Sequence, residues 1–103
     1  MENLFVYGTL KKPEIQRKTI KRVQLGQADT LQGFKRSKIK IQGKSYPIII
    51  PTEKNSSIIK GKILSVNKKE LKKLDNYEGE EYKRMKITLK SRKTAWVYSK
   101  REQ

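Results

Sequence analysis

Apolar residues in this chain come in short alternating bursts, and glycine, proline or a polar cluster cuts each burst off within a few residues. This punctuation limits the fold more than any other feature, because a period of two in short runs specifies many short, half-buried strands. Residues 3–7 alternate and carry Val and aromatic side chains, which predicts a strand broken by Gly8. Pro13 opens a short helix running to about Ile20, since proline is tolerated at the first helical position. Two or three strand-like runs lie between Val23 and Ile41, interrupted at Gly26 and Gly33, and Gln42-Gly43-Lys44 reads as a hairpin turn. Ile48-Ile49-Ile50, bounded by Pro47 and Pro51, suits a strand near a sheet edge. Lys54-Asn55-Ser56-Ser57 reads as a polar turn, followed by a strand from Ile58 to Val66.

Only one helix carries a full start signal. Asn67-Lys68-Lys69-Glu70 fits a capping box, in which Asn67 receives an early helix N–H and Glu70 reaches back. Leu71 and Leu74 share one face of that helix, which should stop near Tyr77 with Gly79 available for a left-handed exit. Residues 82–89 alternate again, and 94–98 form the last strand. Six or seven strands with one or two short helices predict an α+β fold, a small, mostly antiparallel β-barrel flanked by short helices. With 103 residues and no internal repeat or linker, the chain reads as a single domain over 1–103.

Two absences prune the chemistry. The chain has no Cys and no His, which excludes disulfides, thiolate nucleophiles, Cys/His zinc sites and Ser-His-Asp triads. Any proton transfer must then rest on Glu, Asp, Lys or Tyr. No carboxylate spacing suggests an oxygen-only metal site. No apolar run approaches the roughly 20 residues of a membrane-spanning helix, and the N-terminus lacks the basic and apolar regions of a signal peptide. A cytoplasmic protein with no membrane partner is the expectation.

The net charge is +16, from 26 Lys plus Arg against 10 Asp plus Glu. Such a balance suits a protein that holds nucleic acid or another polyanion by counterion release. It also suits an ordinary fold with a lysine-rich surface. The basic residues are spread along the chain without forming a block, and the aromatics form no stacking platform, so nucleic acid is the less favoured partner.

Two local features stand out from that background. In Val6-Tyr7-Gly8-Thr9-Leu10 a strand runs directly into a glycine turn, which can turn successive N–H groups toward an anion but also fits a common turn. Further on, five of the ten acidic residues, Glu70, Asp75, Glu78, Glu80 and Glu81, fall in one twelve-residue stretch. Helix capping and charge neutralisation account for Glu70, Glu80 and Glu81. Asp75 and Glu78 share an i,i+3 spacing near the helix C-terminus, where the dipole and neighbouring carboxylates disfavour the charged form. A carboxyl with a raised pKa is what acid/base work at neutral pH requires.

Taken in order, Tyr7-Gly8-Thr9-Leu10, Tyr46-Pro47, Leu74-Asp75-Asn76-Tyr77-Glu78-Gly79 and Tyr82-Lys83-Arg84 make the chain resemble the gamma-glutamylcyclotransferase-like family, including the AIG2-like proteins and gamma-glutamylamine cyclotransferases. The resemblance spans nearly the whole chain. It implies a compact barrel with a cavity for a gamma-glutamyl group, and cleavage of a gamma-glutamyl amide or peptide by internal cyclisation to 5-oxoproline and a free amine or amino acid. It implies no cofactor and no metal. Carried over by motif, Glu78 is the general acid/base, Tyr7, Gly8, Thr9 and Leu10 form the substrate-cradling loop, and Tyr82 lines the same cavity. The loop N–H groups would then meet either the substrate α-carboxylate or the developing oxyanion. Arg84 is expected to pair with an acidic neighbour. From net charge alone, a basic rim favouring acidic leaving groups is a further expectation. The alternative is a non-catalytic member of the fold that binds nucleic acid or an acidic partner through its basic surface.

Overall fold

A computed structural model describes residues 1–54 and 56–101. Its elements follow the punctuation of the sequence: β1 (Glu2–Val6), a single 3-10 turn (Thr9–Lys11), α1 (Pro13–Ile20), β2 (Gln27–Gln32), β3 (Phe34–Ile41), β4 (Lys44–Pro51), β5 (Ile58–Val66), α2 (Lys68–Glu78), β6 (Tyr82–Thr88) and β7 (Thr94–Lys100). Seven strands and two α-helices make the α+β fold that was expected.

Five strands form one mixed sheet in the order β2-β5-β1-β7-β6, and β3 and β4 form a separate two-stranded sheet. Every pairing is antiparallel except that of β1 with β7, where Leu4 lies beside Trp96 in a parallel register. The sheet does not close on itself, so "barrel" describes it only loosely: β2 and β6 remain its edges.

β1 occupies the centre and is buried on both faces. Leu4 and Val6 join one core cluster with Leu64, Val66, Leu71, Leu74 and Ile20, under the two helices. Phe5 and Tyr7 point the other way and pack with Leu31, Phe34, Ile59, Ala95 and Val97. The isoleucine triplet is divided similarly, Ile48 going to the first cluster and Ile49 to the second. β4 reaches further than the triplet and runs through both Pro47 and Pro51. It pairs only with β3, so neither proline needs an N–H on its open side.

Glycine is indispensable at Gly61 in β5. A Cβ there would strike the Val6 carbonyl oxygen and lie 2.7 Å from Phe5 Cζ. The absence of a side chain lets β5 close on β1 beside the Phe5 ring.

The capping box of α2 is present in full. Asn67 Oδ1 accepts from the Glu70 N–H at 2.8 Å, and Glu70 Oε1 accepts from the Asn67 N–H at 2.9 Å. Glu70 also takes two bonds from Arg22, Nε and Nη2 each at 2.8 Å, which ties the segment after α1 to the start of α2. Gly79 ends α2 with a φ of 80°. The polar turn after β4 is closed by Ser57 N–H donating to Lys54 O at 3.1 Å, while Asn55 lies outside the described residues. No helix of the described residues is long and apolar enough to cross a membrane.

Candidate functional site

β1 delivers the chain to the mouth of a cavity. After Val6 the strand gives way to Tyr7 and Gly8, and the 3-10 turn that follows is held by Lys11 N–H to Gly8 O and Lys12 N–H to Thr9 O, both at 3.0 Å. Those bonds use the later N–H groups, and the first N–H groups of such a turn have no partner within it. Gly8 has a φ of −131°, outside the left-handed region. What it provides is proximity: a Cβ would lie 3.1 Å from Pro47 Cγ, on the opposite wall.

The cavity holds about 250 Å³. Tyr7, Gly8, Thr9 and Leu10 line one side, Glu78 from the last turn of α2 another, and Tyr82 from the start of β6 completes the set. All six residues singled out from the sequence therefore share one space. Tyr46, Pro47, Tyr77 and Tyr98 line it as well.

Glu78 is the only charged residue among these lining residues. Burial raises its pKa from 4.5 to about 7, with no hydrogen bond or counterion contributing. The direction matches the sequence-based expectation, but the cause is desolvation instead of neighbouring carboxylates. Because the folded pKa exceeds the unfolded one, the folded state holds this proton more tightly. The wild type thus has its full stability below about pH 4.5 and loses part of it as pH rises through about 7. Glu78→Gln has no such loss. Urea unfolding should show the variant matching wild type near pH 4 and exceeding it by up to about 3 kcal/mol near pH 8. A pH-independent difference would contradict a buried, titrating Glu78.

Asp75, three residues earlier on α2, has a different task. Arg84 donates to it through Nε at 3.0 Å and Nη2 at 3.2 Å, and Tyr98 donates its hydroxyl at 2.7 Å. Arg84 also stacks on Trp96, 4.4 Å from the ring centroid. Arg84 therefore pairs with an acidic neighbour, as expected, and Asp75 fastens α2 to β6 and β7 from outside the cavity lining.

The tyrosines are fixed by their hydroxyls. Tyr7 donates to Tyr98 O, joining β1 to β7, and Tyr82 donates to Pro47 O at 2.8 Å, joining β6 to β4. Burial, reinforced by the charge of Glu78, pushes the Tyr7 hydroxyl well above its usual range and that of Tyr82 up to about 12. Both phenols stay protonated at neutral pH, and their oxygens keep lone pairs able to accept an ammonium proton. They are packed core aromatics and cavity walls at once.

Sequence reasoning did not assign Tyr98 or Tyr77 to the site. Tyr98 arrives through the parallel pairing of β1 and β7, which no local pattern encodes. Tyr77 had a signal: an aromatic residue beside the candidate acid, on the polar end of a helix. No Lys or Arg lines the cavity itself among the described residues.

A family model described as gamma-glutamyl cyclotransferase, AIG2-like, matches residues 4–103. AIG2-like protein A from Arabidopsis thaliana is 38% identical over 88 residues, covering 84% of this chain and 51% of its own length. The chain thus spans about half the length of the curated relatives it matches. A solution structure of an Arabidopsis thaliana protein superposes with a TM-score of 0.79 at 30% identity, over 96% of this chain and 68% of that one. A structure named gamma-glutamyl cyclotransferase superposes with a TM-score of 0.78, over 98% of this chain and 67% of that one, and at 21% identity it speaks for the fold alone. With a family match over nearly all its residues and relatives sharing more than a third of theirs, the chain belongs to the gamma-glutamyl cyclotransferase, AIG2-like family.

Proposed function

We propose that the protein cleaves a gamma-glutamyl amide by intramolecular cyclisation, with Glu78 moving the proton. The observation that carries this reading is a carboxyl poised near neutral pH inside a small cavity, facing the Tyr7–Leu10 loop, with no other charged residue lining it.

In this reading Glu78 is ionised when substrate binds and accepts a proton from the α-ammonium. The freed amine attacks its own γ-carbonyl carbon and closes a five-membered ring. The protonated Glu78 then gives its proton to the amide nitrogen, the bond from that nitrogen to the γ-carbon breaks, and the regenerated carboxylate passes the second proton of the ring nitrogen to the departing amine, so that 5-oxoproline and an ammonium ion leave. Proton count and charge balance without a second catalyst. Ring closure is intramolecular, so holding the substrate folded back supplies a large part of the acceleration. The N–H groups of the Gly8 loop meet one of the two negative centres, the α-carboxylate or the oxyanion. The Tyr7 and Tyr82 oxygens can accept the remaining ammonium protons.

A panel of gamma-glutamyl amides, analysed for 5-oxoproline and free amine, tests the reading. Stoichiometric release of both from at least one amide is expected. Amine released with glutamate instead would mean hydrolysis and overturn the cyclisation. Release of neither from any amide would overturn the activity itself.

A further inference from the structure

Of the eight aromatic residues, six are buried or part-buried, and the two that are exposed, Tyr46 and Tyr77, both line this cavity. They come from different elements, Tyr46 from β4 and Tyr77 from α2, and are 36% and 38% exposed. Both share the cavity lining with Tyr82 while remaining partly open to solvent, so the two rings border its opening. Ile41 and Pro47 add apolar surface beside them.

Resting on the cyclisation reading, we infer that Tyr46 and Tyr77 receive the leaving amine and that the substituent this amine carries is uncharged and apolar, an aromatic ring fitting best. The γ-glutamyl half brings all the charge that Glu78 and the loop N–H groups can satisfy. An anionic leaving group would find no Lys or Arg in the lining, and burying it unpaired is costly. A cationic one would compete with the α-ammonium for Glu78 and would approach a molecule of charge +16. A flat apolar group meets two aromatic rings, and such pairs favour offset or edge-on stacking. The enclosed volume of about 250 Å³ is below the usual range for drug-sized ligands, so the leaving group emerges between the two tyrosines instead of being swallowed.

The test compares kcat/KM for four substrates sharing the γ-glutamyl group: the methylamide, the benzylamide, the amide of glycine and the amide of ethylenediamine. The benzylamide should exceed the glycine and ethylenediamine amides by about tenfold or more. The double variant Tyr46→Ala/Tyr77→Ala should erase that ratio, whereas Tyr46→Phe/Tyr77→Phe, which keeps the rings and the packing, should preserve it. Equal turnover of the four amides, a preference for a charged leaving group, or a ratio untouched in a folded alanine pair would each overturn the assignment of the mouth. The methylamide separates the two readings. If it releases 5-oxoproline while the ratio is flat, only the mouth assignment falls; if no amide releases it, the reaction falls and the mouth assignment with it.

Discussion

Glu78→Gln should lower kcat/KM for any gamma-glutamyl amide the protein accepts by roughly a hundred- to ten-thousand-fold, the range that a positioned acid/base group contributes. The substitution keeps the size of the side chain and removes the proton that both transfers need. Substrate binding should change far less, because the loop, the tyrosines and the cavity volume stay in place. The pH profile gives an independent readout. The free enzyme must have Glu78 ionised to take the first proton, so wild-type kcat/KM should rise with pH and level off above about 7. The residual activity of the variant should lack that limb. Retention of most of the activity would move the proton transfer to another group. Asp75 is the next carboxyl on the same helix, but two bonds from Arg84 and one from Tyr98 already occupy it. Asp75→Asn would then decide.

The second large effect concerns stability. Gly61→Ala should destabilise the fold by about 3 kcal/mol or more, at or beyond the upper end for overpacking a well-fitted interior. The added methyl has nowhere to go: the Val6 carbonyl blocks it on one side and the Phe5 ring on the other. With total stabilities of roughly 5–15 kcal/mol for small domains, that is a large share, and the melting temperature should fall by about 12 °C or more. Gly43→Ala is the control. It sits in the β3–β4 turn at a φ of 81°, where a Cβ meets nothing within 4 Å, so it should cost only the roughly 1 kcal/mol of a left-handed alanine. Similar melting temperatures for the two variants would show that β1 and β5 can separate without penalty. The Gly61 change should also reach the cavity, because the carbonyl it displaces belongs to the residue just before Tyr7.

How much of this was legible in the sequence depended on how local each signal was. Pro13 to Ile20 and the Asn67–Glu70 capping box were readable because capping and proline rules act within one helical turn. The hairpin at Gln42-Gly43 was readable for the same reason, with positive φ at both residues. That the six candidate residues would share one cavity was readable because a motif keeps its order along the chain even when its parts meet only in space. The partner of each strand was not legible. β1 is covered on both faces, so Leu4, Phe5 and Val6 read as a continuous apolar run that does not say which strands flank it. Whether the sheet closes depends on contacts between its edges, which no alternation pattern records. The state of Glu78 was legible in direction only. A helix C-terminus is visible in the sequence, but desolvation comes with burial beside a cavity whose other walls include residues of β1, β4 and β7, remote along the chain.

The place of β1 between β5 and β7 also sets a schedule. In a chain made toward its C-terminus, at roughly 5–20 residues per second, β1 has no neighbour in the sheet until β5 follows some fifty residues later. Its other side stays open until β7 is synthesised, and the hydroxyl of Tyr7 has no Tyr98 carbonyl to meet before then. A contact between positions 91 apart carries a large loop-closure cost and forms late. The cavity is therefore among the last parts of the molecule to exist, and a growing chain holds α2 with Glu78 for some time before β7 arrives to complete the wall around it.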